Sequence, residues 1–163
     1  MTSSSSIPAD RFTTAFFRIL EEAFERHHGI FLDKGTSLFE TLDRVSAEQA
    51  SRPVSEGRPT IAAQVDHVRF YLDVIDRYLR GQSVDDVDWN EIWRTTKGVT
   101  PAEWAAMKGQ LRESHDRVCQ LLRGLSAWDD DDSIRGALAV LVHSAYHLGQ
   151  IRLTVRALGV EDR

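Results

Sequence analysis

The chain has 163 residues, 42% hydrophobic and 28% charged, with 10 Gly and 4 Pro; it is long enough for a real core and is read as one domain over 1–163, which excludes a disordered or collagen-like chain. Twenty Lys and Arg against 25 Asp and Glu give a net charge of −5, so there is no basic excess to neutralise a phosphate backbone and no nucleic-acid partner is expected. Cys119 is the single cysteine, residues 1–9 read as a flexible tail without a basic, apolar leader, and the longest apolar run, Ala137 to Val142, is far too short for a membrane span; a cytoplasmic protein that stays off membranes is expected.

Hydrophobic spacing is helical almost throughout. Phe12, Phe16, Ile19, Leu20, Ala23 and Phe24 recur at intervals of three and four and predict a helix from about Asp10 to His27, with His27 and His28 closing it where positive charge suits the dipole. Gly29 and Gly35 interrupt the pattern. Ser37 and Glu40 then have capping-box spacing, which opens a second segment running to about Gln49. Arg52-Pro53 and Arg58-Pro59 bracket a turn region. Ile61, Val65, Val68, Leu72, Ile75 and Leu79 define a long amphipathic helix stopped by Gly81.

Ser83 to Val99 is too long for a tight turn and reads as a loop with one helical turn, carrying Trp89 and Trp93. Thr100, Pro101 and Glu103 suit the N-cap, first and third positions of the next helix, whose stripe is Trp104, Met107, Leu111, Val118, Leu121 and Leu125. His115 lies on that stripe and is read as a packed helix residue. The acidic run Asp129 to Asp132 lacks the glycine and distal glutamate of a calcium loop and fits a solvated helix start. A last helix is predicted from about Ser133 to Leu158, closed by Gly159. Between Ala137 and Gly149 it is apolar nearly all round, so it is expected to be the most buried element. With no strand and no repeat, the fold class is all-α: an up-and-down four-helix bundle with an extra N-terminal helical segment.

The polar residues inside the last helix carry the chemistry. His143 and His147 are four apart, so both imidazoles share one face and can grip one metal ion; the plainer reading is two core histidines hydrogen-bonded to their neighbours. His67 sits at the edge of the buried arc of the long helix, from where it can face a partner helix. Gln150 lies one turn beyond His147 and can hydrogen-bond a metal's water or a substrate, and Tyr71, one turn beyond His67, can line a pocket or simply fill the core. Arg152 points about 140° from His147 and suits a surface salt bridge. Trp89, Trp93 and Trp104 can form an aromatic lid or anchor the loop on the core. Ser144 follows His143 where the zinc-protease motif has its glutamate base, so that peptidase mechanism has no support.

Two stretches, Thr60-Ile61-Ala62-Ala63-Gln64-Val65-Asp66-His67-Val68 and His143-Ser144-Ala145-Tyr146-His147-Leu148-Gly149-Gln150-Ile151-Arg152, resemble the DinB/YfiT-like superfamily. The resemblance covers about Thr36 to Gly159 and leaves the segment before Gly29 as an extension. It implies a four-helix bundle with His67, His143 and His147 as ligands of a divalent metal ion, zinc or nickel, and an open coordination position. It further implies a metal-dependent hydrolase or thiol-dependent S-transferase acting on a small molecule, with a low-molecular-weight thiol as a possible cosubstrate. The alternative is a non-catalytic, stress-associated metal-binding protein whose ion ties two helices. A homodimer formed through outward apolar residues of the early helices is expected of such bundles.

Overall fold

Helix starts coincide with capping residues along most of the chain. The computed structural model describes residues 7–125 and 128–160, and the regular elements among them are seven helices: α1 (Ala9–Phe24), α2 (Leu38–Leu42), α3 (Ala47–Ala50), α4 (Ile61–Leu79), α5 (Glu91–Thr95), α6 (Pro101–Arg123) and α7 (Asp131–Ala157). The expected tail lies outside the described residues up to residue 6, and Ala9 already opens α1.

The backbone N–H and hydroxyl of Ser37 both donate to the Glu40 carboxylate, at 3.3 and 2.7 Å. The hydroxyls of Thr60 and Thr100 accept from the backbone N–H of Ala63 and Glu103, and the Asp130 carboxylate accepts from that of Ser133 at 2.7 Å. Each partner satisfies a donor that a helix start leaves unpaired. The single segment expected from Ser37 to Gln49 is instead two short helices, because Ser46 builds a second capping box with Gln49.

Helices α1, α4, α6 and α7 are the four long ones and form the bundle. α4 packs against both α6 and α7, and α1 packs against α7; Phe24 of α1 reaches His115 of α6, with ring centroids 4.4 Å apart, which closes the square. Phe16, Leu20, Ala23 and Phe24 make α1 part of the continuous core with Leu72, Leu111, Val118, Leu148 and Ile151. Gly136 lies close against the end of α4: a Cβ there would stand 3.1 Å from Leu79 Cδ2, which would have to shift by a few tenths of an ångström.

Two expectations for the helix ends and faces are corrected. α1 stops at Phe24, before His27 and His28, because the Glu22 carboxylate accepts backbone N–H groups of His28, Ile30, Phe31 and Leu32 at 3.0–3.3 Å and folds the chain back over the helix end. Gly29, at φ 76°, supplies the left-handed residue that this reversal needs. His28 then pairs with Glu21 at 2.8 Å rather than capping α1. The second correction concerns α7, which is not buried all round: Leu138, Val142, Tyr146 and Leu153 are 41–66% exposed. A helix at a corner of a square bundle has neighbours on part of its circumference only, so its apolar residues beyond that arc stay outside.

Candidate metal centre

The site lies between α4 and α7. His67 follows the Thr60 cap by two turns on α4, and His143 and His147 stand one turn apart on the face of α7 that meets it. The structure brings the three sequence-identified histidines together: each offers a ring nitrogen, and the three nitrogens lie within 4.8 Å of one another. His67 Nε2 and His143 Nε2 are 3.1 Å apart. Two nitrogens bound at about 2.0–2.1 Å to one tetrahedral ion stand about 3.3 Å apart, so this pair already has the span of a zinc-like chelate.

The electrostatics favour the metal-ready form. Burial, followed by repulsion from the other two imidazoles, takes the pKa of His143 down to about 3. Burial and the charge of His67 take that of His147 down to about 4. Burial also lowers His67, against a smaller opposing pull from Asp66. All three rings are therefore neutral at pH 7, with lone pairs free for a divalent ion. The Nδ1 atoms of His67 and His143 are buried without a hydrogen-bond partner among the described residues. The donor set, its spacing and its protonation state fit a divalent metal.

Aromatic rings wall the cluster. Tyr71 lies flat on His143, with centroids 3.6 Å apart, and Trp93 covers His67 at 4.5 Å and reaches His147 at 6.3 Å. Tyr146 meets His147 edge-on at 5.0 Å. Trp93 is delivered by α5, which Thr96 ties to α4 by donating its hydroxyl to Asp66 at 2.8 Å. Asp66 in turn accepts from Arg69, which also pairs with Asp73, and Asp73 takes Arg117 and Ser114 of α6. An ion-pair network thus fixes the helix on which His67 stands.

Of the proposed lid, Trp93 lies on the cluster, Trp89 packs on Phe70 and Tyr71, and Trp104 lies elsewhere. The Trp104 indole donates to the Val45 carbonyl at 2.8 Å and is a buried anchor of the core. Gln150 makes no side-chain hydrogen bond to the histidines among the described residues; it lines a cavity of about 540 Å³ with Arg58, Gln64 and Leu153. The amide that does reach the cluster is that of Gln64, whose Oε1 is 2.7 Å from His147 Nδ1. Sequence reasoning missed Gln64, although it stands three residues before His67 and so on the same face of α4. A second cavity of about 450 Å³, lined by Ala63, Trp93, Thr96 and Lys97 among others, adjoins the first at Arg58 and Pro59.

The remaining expectations divide. Arg152 makes no ion pair among the described residues. His115 is buried against Phe24 and Phe39, with Nε2 3.3 Å from Cys119 Sγ, far from the ligand cluster in contacts and in role. Burial pushes the Cys119 thiol up to about 12, so it is no nucleophile at neutral pH. No helix among the described residues is long and apolar enough to cross a membrane.

Neither the curated proteins nor the solved structures contain a match to the chain. A family profile described as the DinB superfamily matches residues 33–151, a stretch that takes in α2 to α6, most of α7 and all three histidines. On that match and its helical architecture, the chain belongs to the DinB superfamily.

Proposed function

We propose that the protein binds one divalent metal ion through His67, His143 and His147 and uses it on a small-molecule substrate, by hydrolysis or by thiol-dependent S-transfer. The observation that carries this reading is the convergence of three neutral imidazoles within 4.8 Å on two helices, which leaves open coordination positions as catalytic sites do. A divalent ion there, zinc or nickel in this reading, supplies Lewis acidity, polarising a carbonyl or making water or a low-molecular-weight thiol more acidic. The chain's own residues hold and shield it. Tyr71 and Trp93 exclude bulk water from two ligand rings, and Asp66 with Thr96 keeps the Trp93 segment seated. The cavities of about 450 and 540 Å³ beside Trp93 and Gln64 are of small-ligand size.

A second reading, a structural ion in a non-catalytic protein, is favoured by the cover over the site: His67 and His147 are only 8% and 6% exposed. In either reading the protein works in the cytoplasm with a second copy as its partner. Apolar residues exposed beside α1, Ile7, Ile30 and Phe31, and the stripe of Leu138, Val142, Tyr146 and Leu153 on α7 support a second copy as partner.

Elemental analysis of untagged protein tests the site. Near-stoichiometric zinc or nickel is expected, lost in His67→Ala, His143→Ala and His147→Ala; no metal, and none taken up when added, would overturn the proposal. Cobalt(II)-loaded protein separates the two readings. A change in its visible spectrum on adding 2-mercaptoethanol supports an open, reactive position, and an unchanged spectrum supports the structural ion.

A further inference from the structure

The three histidines are not held alike. His67 and His143 have buried Nδ1 atoms with no hydrogen-bond partner among the described residues; their rings lie under Trp93 and Tyr71, and their hydrogen-bond contact is with each other, Nε2 to Nε2 at 3.1 Å. His147 is different: its Nδ1 meets the Gln64 side-chain oxygen at 2.7 Å in a buried contact between α4 and α7. An amide oxygen only accepts, so the imidazole must donate from Nδ1, which leaves the lone pair on Nε2. Nε2 is the atom available to the cluster.

We propose that Gln64 is the positioning residue of the metal centre: it selects the Nδ1–H tautomer of His147 and so presents Nε2 as the ligand atom. The inference rests on the metal-site reading above and adds a role for a side chain outside the ligand set. A neutral histidine in an apolar setting can carry its proton on either nitrogen, and the wrong choice would put an N–H where the ion needs a lone pair. Hydrogen bonds from the far nitrogen of a ligand histidine to a carbonyl or carboxylate commonly serve this purpose, and their loss typically weakens metal binding about 10- to 100-fold.

The placement of Gln64 makes the role specific. It sits in the first turns of α4, where the Thr60 carbonyl accepts its backbone N–H at 3.1 Å, and it is 7% exposed. It therefore shares a helix with one ligand and a hydrogen bond with another, linking His67 and His147 across the helix pair. Its side chain also lines the cavity of about 540 Å³ together with Gln150, so it separates that space from the ligand ring.

Two readouts test this in Gln64→Leu and Gln64→Glu. Nitrogen NMR of the metal-free wild type should show His147 protonated on Nδ1; Gln64→Leu should shift the proton toward Nε2, while Gln64→Glu, which keeps an acceptor, should not. Zinc affinity by chelator competition should fall about 10- to 100-fold in Gln64→Leu and stay within a few-fold of wild type in Gln64→Glu. A merely structural glutamine would lower the melting temperature of both variants without moving the tautomer, and an unchanged tautomer in Gln64→Leu overturns the proposal. If Gln64→Leu does not fold, Gln64→Met takes its place in both measurements. Wild-type protein that binds no zinc would sink the metal reading itself, whereas wild-type binding matched by Gln64→Leu would sink the positioning role alone.

Discussion

The rings of Tyr71 and His143 are stacked 3.6 Å apart with their planes 9° from parallel. Since His143 Nδ1 has no hydrogen-bond partner among the described residues, this stack and the 3.1 Å contact of Nε2 with His67 are what hold the ring in the cluster. Tyr71→Phe keeps the stack and is expected to leave metal affinity unchanged. Tyr71→Ala removes it and is expected to weaken affinity by about 2- to 10-fold, the equivalent of an aromatic pair; chelator competition reads the difference.

Stability without metal is expected to depend on the same cluster. The folded-state pKa values of His143 and His147 are down at about 3 and about 4, while an unfolded histidine takes up its proton near 6.5. Between these limits the unfolded chain binds more protons than the folded one, so stability falls as pH drops from 6.5 toward 4 and is insensitive to these groups above 7. Thermal melts of chelator-treated protein should show that fall, and it should be shallower in the His143→Gln/His147→Gln double variant. Equal slopes would contradict neutral burial of the pair.

Glu22 is expected to be the most sensitive single position outside the bundle's apolar core. Burial pushes its carboxyl up, but the backbone donors of Ile30, His28, Leu32 and Phe31 outweigh this and hold it below the usual carboxylate range. Its contribution is therefore present above about pH 4.5 and is lost as pH falls through the folded-state value. Glu22→Gln places an NH₂ against backbone donors and should cost about 1–3 kcal/mol in urea unfolding at pH 7. Metal content should be unchanged, because none of the hydrogen bonds of the Glu22 loop among the described residues involves His67, His143 or His147.

The segment bearing Trp93 is pinned by Thr96 on Asp66. Thr96→Val removes one hydrogen bond worth about 0.5–1.5 kcal/mol, so amides of α5 should exchange about 2- to 12-fold faster while those of α4 keep their protection. Uniform acceleration in both helices would show that the contact supports the whole fold rather than the cover over the site.

Helix periods made the long elements legible in the sequence. Ile61 to Leu79 matches α4, and the Thr100–Pro101–Glu103 start matches α6, since caps and apolar spacing are local signals. The pair of histidines on α7 was legible by spacing, and His67 by its place at the edge of its helix's buried arc together with the resemblance. What could not be read was anything decided between helices. Gln64 looks like any polar residue near a helix start until α7 lies beside it. Glu22 sits within the run from Leu20 to Phe24, yet it is 0% exposed because the following loop wraps its carboxylate. The outward stripe of α7 was misread because periodicity cannot count a helix's neighbours.

The lone thiol gives the molecule a built-in clock. Cys119 is 5% exposed and its pKa of about 12 leaves almost no thiolate at neutral pH, so a thiol-reactive dye can label it only when the bundle opens around α6. Labelling speed would then report how often the bundle opens, with no engineered probe. Because the His115 side chain stands between that thiol and the aromatic pair Phe24 and Phe39, the clock times the side of the bundle away from the histidine cluster. Slower labelling on adding zinc would mean that a ligand held by α4 and α7 restrains helices that never touch it.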